Sequence, residues 1–174
     1  MKYLIRYPHG CVEQTTSAVF AQLYLDELTK VDAERAAEIQ KNINAAIDRL
    51  RSFQLSTGGF SFWPGNSQPS YWGTSYAGHF LIEAREQGYL VPENLISSWI
   101  NFQMEQANQW NRGSYRDHLT QCYRLYTLAL AGSPALGAMN RLKENEGLRG
   151  AARWALASAY AVAGYEQAAN ELLE

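Results

Sequence analysis

"YWGTSYAGHFLIEAREQGYLVPENLISSWINF", residues 71–102, places two kinds of helix in succession. Its first half is small or apolar on most sides. Its second half carries one apolar stripe, Leu95, Ile96, Trp99, Ile100 and Phe102, beside a polar face. Gly88 between them reads as a glycine that ends a helix at positive φ, and Pro92 suits a helix first turn. The contrast recurs along the chain. "LTQCYRLYTLALAG" (119–132) and "ARWALASAYAVAG" (152–164) are apolar on most sides and end in Gly132 and Gly164, whereas 33–54 and 135–145 carry one stripe and a charged face.

Apolar spacing is helical nearly throughout, as in Ile39, Ile43, Ile47, Leu50 and Phe53, and no convincing strand alternation is present. Eight helices are expected, at 15–29, 33–54, 71–87, 93–108, 117–131, 135–145, 149–163 and 165–174. Alternating kinds imply inner and outer helices. Hairpins that cannot each bury their own apolar face must stack on neighbours, giving an α/α toroid or an open solenoid. The interval from Gly88 to Gly132 exceeds that from Gly132 to Gly164, and this irregularity favours the toroid. The expected fold is therefore all-α, an incomplete α/α toroid of about eight helices. Because "NELLE" ends within a helix without a capping signal, a single truncated domain over 1–174 is expected. The long connection "LSTGGFSFWPGNSQPS" (55–70) is rich in glycine, proline and aromatics and reads as an ordered loop packed on the bundle.

A length of 174 residues suffices for a substantial core, and the net charge of −2 with scattered Lys and Arg gives no footprint for nucleic acid or a membrane surface. No apolar run approaches the ~20 residues that span a bilayer. The residues after Met1 lack a leader pattern, which decides little about compartment if the chain has been cut down. The two cysteines, Cys11 and Cys122, have no CxxC partner or nearby histidine pair, so neither a metal nor a cofactor is expected.

Cys11 lies in "YPHGCVEQTTSAVF" (7–20), three positions before Gln14. In a helical turn, i and i+3 share a side, which brings a thiol within reach of a side-chain amide carbon. That is the arrangement an internal thioester needs: Cys11 Sγ replaces the amide nitrogen of Gln14, ammonia leaves, and an acyl group open to amines or hydroxyls remains. Gly10 permits a tight turn, Pro8 restrains the entry, and Thr15, Thr16 and Ser17 can satisfy free amides at the helix start. Glu13 points away from the ring, its charge suited to a helix N-terminus. The competing readings of Cys11 are a small buried hydrophobe, which is the reading kept for Cys122, and a nucleophile paired with His9, His79 or His118, none of which the sequence pairs with it. The string Gly-Cys-x-Glu-Gln fixes four residue types and arises by chance at roughly one in 160,000 start positions.

"GCVEQTTS" resembles the thioester motif of the α2-macroglobulin and complement superfamily, and "YPHGCVEQTTS" is most similar to its bacterial members. "GGFSFWPG" followed by "PSYWGTSYAGHFLIEA" resembles the Gly-Phe loop and Trp-x-Thr-(Ala/Ser)-Tyr helix that come next in that family's thioester domain, itself an α/α toroid. The resemblance covers most of the chain, with only generic helical pattern after about residue 115. It implies that Cys11 and Gln14 are the thioester pair within the motif residues Gly10 and Glu13, and that Tyr7 shields the bond from water. Phe60, Trp63 and Trp72 are weaker candidates for that cover, with core packing the stronger reading for all three. It further implies a broad-spectrum endopeptidase inhibitor rather than an enzyme, with target proteases and neighbouring domains of a longer parent as partners, in the periplasm or cell envelope. Some complement members use a downstream histidine to favour hydroxyl targets. "NFQMEQANQWNRGSY" (101–115), where it would be sought, has none, and His118 is out of register. Direct attack by amines is therefore expected.

Two rivals come from other classes. "WALASAYAVAGYEQAANELLE" (154–174) has the spacing of a tetratricopeptide-like binding module, but that leaves 7–17 unexplained. An α/α-toroid enzyme of the terpene cyclase or prenyltransferase type would need zinc ligands, an Asp-rich cluster or facing carboxylates, and the sequence offers no credible set.

Overall fold

The computed structural model describes residues 4–111 and 115–174, and every regular element among them is helical. In order these are α1 (Val12–Phe20), a 3-10 turn (Ala21–Tyr24), α2 (Leu25–Leu28), α3 (Ala33–Arg51), α4 (Tyr71–Glu86), α5 (Glu93–Gln109), α6 (Tyr115–Leu130), α7 (Leu136–Lys143), α8 (Ala151–Val162) and α9 (Glu166–Glu171). The all-helical expectation holds. Several expected boundaries shift: α1 starts at Val12 rather than 15, α3 ends at Arg51 rather than 54, α9 ends at Glu171 rather than 174, and the single helix expected over 15–29 is broken by the 3-10 turn. At that break the buried Gln22 amide donates to the Ala18 carbonyl at 2.6 Å and to the Arg6 carbonyl at 2.9 Å, supplying donors where the tightened turn rearranges the backbone ladder.

The glycine stops behave as read. Gly88, Gly132 and Gly164 all have positive φ, and the residue after each donates back across the turn: Tyr89 to Ala84, Ser133 to Leu128 and Tyr165 to Tyr160, each at 2.9 Å. This pattern satisfies carbonyls that a helix end would leave unpaired. Pro92 lies one residue before α5, where its carbonyl accepts from Leu95 N–H at 3.0 Å. At the starts of α3 and α4, Asp32 accepts from Arg35 N–H at 2.9 Å and Ser70 from Gly73 N–H at 3.2 Å.

The chain forms two compact units, one ending at Trp99 and one beginning at Ile100. The first packs α1 against α3 and α4 around Val12, Ile43, Leu50, Phe53, Phe60 and Phe80. Close approach rests on small residues of α4. A Cβ at Gly73 would lie 2.6 Å from Val12 Cγ1, and one at Gly78 would lie 2.0 Å from the Trp99 indole, whose Nε1 donates to the Thr74 carbonyl at 2.8 Å. In the second unit α8 packs against α6 and α9, with Cys122, Leu125, Leu128, Met139, Leu156 and Tyr160 buried among them. Buried polar groups there are bonded: Arg124 Nε donates to Gln103 Oε1 at 3.2 Å, and Gln121 Nε2 to the Ala107 carbonyl at 3.1 Å.

Candidate functional site

Cys11 is the N-cap of α1 and Gln14 is its third helical residue. Cysteine is not an ordinary capping residue, and the end is closed from the other direction. Gln14 Oε1 accepts from Cys11 N–H at 3.0 Å, the back-bonded half of a capping box. Thr15 and Thr16, expected to satisfy free amides at the helix start, are instead buried inside α1, and Thr16 Oγ1 donates back to the Val12 carbonyl at 2.8 Å. Glu13 lies in the first turn, where its charge complements the helix dipole.

The Gln14 amide folds back over Gly10. A Cβ at residue 10 would stand 2.2 Å from Gln14 Oε1 and 3.0 Å from Cδ, and Gly10 holds φ at +87°. Any side chain there would displace the amide, so Gly10 is required on two grounds, space and backbone conformation. The thiol and the amide differ in exposure. Cys11 is buried at 5% and is free of any disulfide, whereas Gln14 is exposed and lines a groove of about 330 Å³ with Arg6, Tyr7, His9 and Ser17. A nucleophile arriving in that groove meets Gln14, while Cys11 is buried and does not line it.

Three contacts brace this turn, and the sequence reading missed all of them. Arg49 of α3 donates from Nη2 to the Gly10 carbonyl at 2.8 Å and from Nε to Thr15 Oγ1 at 3.2 Å, with its guanidinium carbon 5.4 Å from the Phe53 ring centroid. The third is backbone to backbone, Val12 N–H donating to the Phe62 carbonyl at 3.1 Å. Arg49 lay hidden within a helix that carries several other charged residues, and no sequence signal marks a main-chain carbonyl as a partner.

Through Phe62 the 55–70 loop is joined to the Cys-Gln turn. The loop is ordered, with isolated antiparallel bridges at Gln54–Phe60 and Ser61–Pro69. Buried Thr74 of α4 secures it: Thr74 Oγ1 accepts from Phe60 N–H at 2.9 Å and donates to the Phe60 carbonyl at 3.2 Å. The two quoted motifs thus meet in one assembly, the Gly-Phe loop held between the Thr of the Trp-Gly-Thr-Ser-Tyr helix and the first residue of α1.

The aromatic candidates separate by burial. Phe60 is wholly buried core, whereas Trp63 and Trp72 are more than 40% exposed. Tyr7 is 58% exposed and lines the same groove as Gln14. Of the histidines, His9 lines the groove, and His79 is held by Glu83 at 3.3 Å and stacks edge-on to Phe20. His118 is buried in the second unit beside Trp110. Residues 112–114 of the stretch searched for a downstream histidine lie outside the described residues. Among the described residues no cluster of His, Cys, Asp or Glu suits a metal, and no helix is long and apolar enough to cross a membrane.

An all-helical fold that stations a buried cysteine against a folded-back glutamine defines a class of domain, and known proteins supply its family. The A-macroglobulin TED domain family matches residues 1–139, and the chain belongs to that family. Its relatives are bacterial. The chain is 31% identical over 157 residues to Alpha-2-macroglobulin of Escherichia coli strain K12, a match covering 83% of this chain and 10% of the relative. It is 30% identical over 156 residues to Alpha-2-macroglobulin of Xylella fastidiosa strain Temecula1, covering 82% and 9%. The chain therefore spans about a tenth of the length of these curated relatives. Among solved structures, native E. coli alpha-2-macroglobulin from domain MG7 to the C-terminus superposes with a TM-score of 0.80 at 29% identity, covering 99% of this chain and 29% of that one. Salmonella alpha-2-macroglobulin reacted with methylamine gives 0.80 at 27% identity, covering 99% and 12%. This superposition takes in the C-terminal helices that resembled tetratricopeptide repeats, beyond the residues 1–139 that the family model matches.

Proposed function

We propose that Cys11 and Gln14 form an internal thioester, and that this chain is the covalent arm of a protease-trapping protein of the α2-macroglobulin kind. One observation carries the reading: the Gln14 amide is folded over Gly10 with its oxygen on Cys11 N–H, three residues along a helical turn from the thiol. Thioester formation joins Sγ to Cδ, breaks the bond from Cδ to nitrogen, and releases that nitrogen as ammonia with the thiol proton. An amine on the trapped protease then bonds to Cδ, the sulfur leaves, and the amine's proton ends on the thiol. Energy stored in the acyl group is spent once, so the protein is an inhibitor without turnover.

The relatives support this reading. E. coli alpha-2-macroglobulin has been solved activated by trypsin and by porcine elastase, and the Salmonella protein reacted with methylamine, a small amine of the type the pair would accept. Tyr7 at the rim of the groove is the proposed shield, since a thioester open to water hydrolyses. Its exposure in this chain leaves a face for the neighbouring domains of the parent to complete the cover. We further propose the periplasm or cell envelope as the compartment of the parent protein, where it would meet foreign proteases.

The test is covalent capture. Full-length protein mixed with trypsin should yield an adduct that survives denaturation and maps to residue 14, and pretreatment with methylamine should abolish it. Trypsin recovered wholly unlinked from untreated protein would sink the proposal.

A further inference from the structure

The peptide unit between Gly10 and Cys11 is held at both ends. Its carbonyl oxygen accepts from Arg49 Nη2 at 2.8 Å, and its N–H donates to Gln14 Oε1 at 3.0 Å. Attack at Gln14 Cδ, by the thiol during formation or by an amine during capture, moves negative charge onto Oε1. Cys11 N–H donates to that oxygen at the distance an oxyanion donor needs. A guanidinium on the opposite end of the same amide fixes the plane of the peptide and polarises it, which strengthens the N–H as donor. Arg49 Nε bonds Thr15 in the residue just beyond Gln14, so one planar side chain ties both sides of the turn.

From this the geometry points to Arg49 as a positioning residue: through the Gly10–Cys11 peptide it aims the Cys11 N–H as the oxyanion donor for making and for breaking the thioester. The inference rests on the thioester reading above. The hydrogen bonds of Arg49 go to Gly10 and Thr15, neither of which holds a reacting atom. Its effect is carried by the peptide it orients, and α3, anchored by Ile43, Ala46, Ile47 and Leu50 in the core, supplies a rigid mount.

The test uses full-length protein with Arg49→Lys and Thr15→Val, and Arg51→Ala as a control on an exposed position of the same helix. Lysine keeps the charge and the stem but lacks the planar fork, and the Thr15 variant releases one arm of the clamp while leaving the Gly10 contact. Two readouts are taken: the fraction of molecules lacking one ammonia by intact mass, and the rate of thiol release by methylamine among those molecules. Removing a whole oxyanion donor costs on the order of a hundredfold in rate, so misaiming one should slow release roughly tenfold in Arg49→Lys, with a smaller slowing in Thr15→Val and none in Arg51→Ala. A clamp that merely kept the site closed would act in the opposite direction, because loosening it admits the amine faster. Release at the wild-type rate or faster in Arg49→Lys overturns the assignment. If the wild-type protein itself yields no methylamine-released thiol, the thioester reading has failed instead.

Discussion

Gln14 Oε1 and the Cys11 backbone N–H, 3.0 Å apart, turn a helix start that lacks an ordinary capping side chain into a closed one. The amide that would be consumed in forming a thioester is thus also the cap of its own helix. Gly10 makes room for it, since a Cβ there would sit 2.2 Å from the same oxygen.

Gly10→Ala should therefore fail on two counts. A non-glycine residue at φ +87° costs about 1–3 kcal/mol, and its methyl expels the Gln14 amide from its seat. The expected result is a lowered denaturant midpoint together with loss of the ammonia-deficient species by mass. Wild-type values of both would show that Gln14 does not need this seat.

Thr74→Val tests the link between loop and helix. The substitution keeps the shape but leaves the buried Phe60 N–H without its acceptor, a cost of about 1–3 kcal/mol. Chemical denaturation should register that loss, and Thr74→Ser, which restores the hydroxyl, should recover part of it. A neutral Thr74→Val would contradict the role given to this hydroxyl.

How far these features were legible in the sequence depends on what carries them. The helices were readable because their apolar spacing and glycine stops are local, and Gly88, Gly132 and Gly164 were each identified as helix ends. The start of α1 lies three residues before the expected 15, because Cys11 is capped through a side chain bonded back from Gln14, whereas Thr15 is the conventional capping residue type. Cys11 and Gln14 stand together in the sequence through their i, i+3 spacing and the Gly-Cys-x-Glu-Gln string, and the structure adds the hydrogen bond between them. Arg49 was not legible there, since a lone arginine on a charged helix face has no pattern until the fold brings Gly10 and Thr15 beside it. The hydroxyl of Thr74 likewise acquires its meaning from a loop residue fourteen positions away.

Cys122 provides an internal control. It is wholly buried, and burial pushes its thiol up to about 12, so almost none is thiolate at neutral pH. Iodoacetamide should leave it unmodified in native protein, before and after methylamine, and should label it on unfolding. Native labelling of Cys122 at the rate of an exposed thiol would contradict its placement in the core.

His79 predicts a pH response. Burial lowers its pKa below 6.5, opposed by the Glu83 carboxylate, with burial the larger influence. Protonation then favours the unfolded chain. The stabilisation is complete above about pH 6.5 and is lost as pH falls through the lowered folded value. An NMR titration of the His79 ring should give a midpoint below 6.5, and a midpoint above it would mean that Glu83 outweighs burial.

The most direct measurement is the mass and thiol content of full-length protein before and after methylamine. Before treatment the peptides bearing residues 11 and 14 should be joined and one ammonia lighter than their sequence, with no reactive thiol at Cys11. After treatment Cys11 should react with a thiol reagent, and residue 14 should carry methylamine in place of its amide nitrogen. A Cys11 thiol reactive from the outset, beside a Gln14 of unaltered mass in protein purified without exposure to amines, would contradict the account.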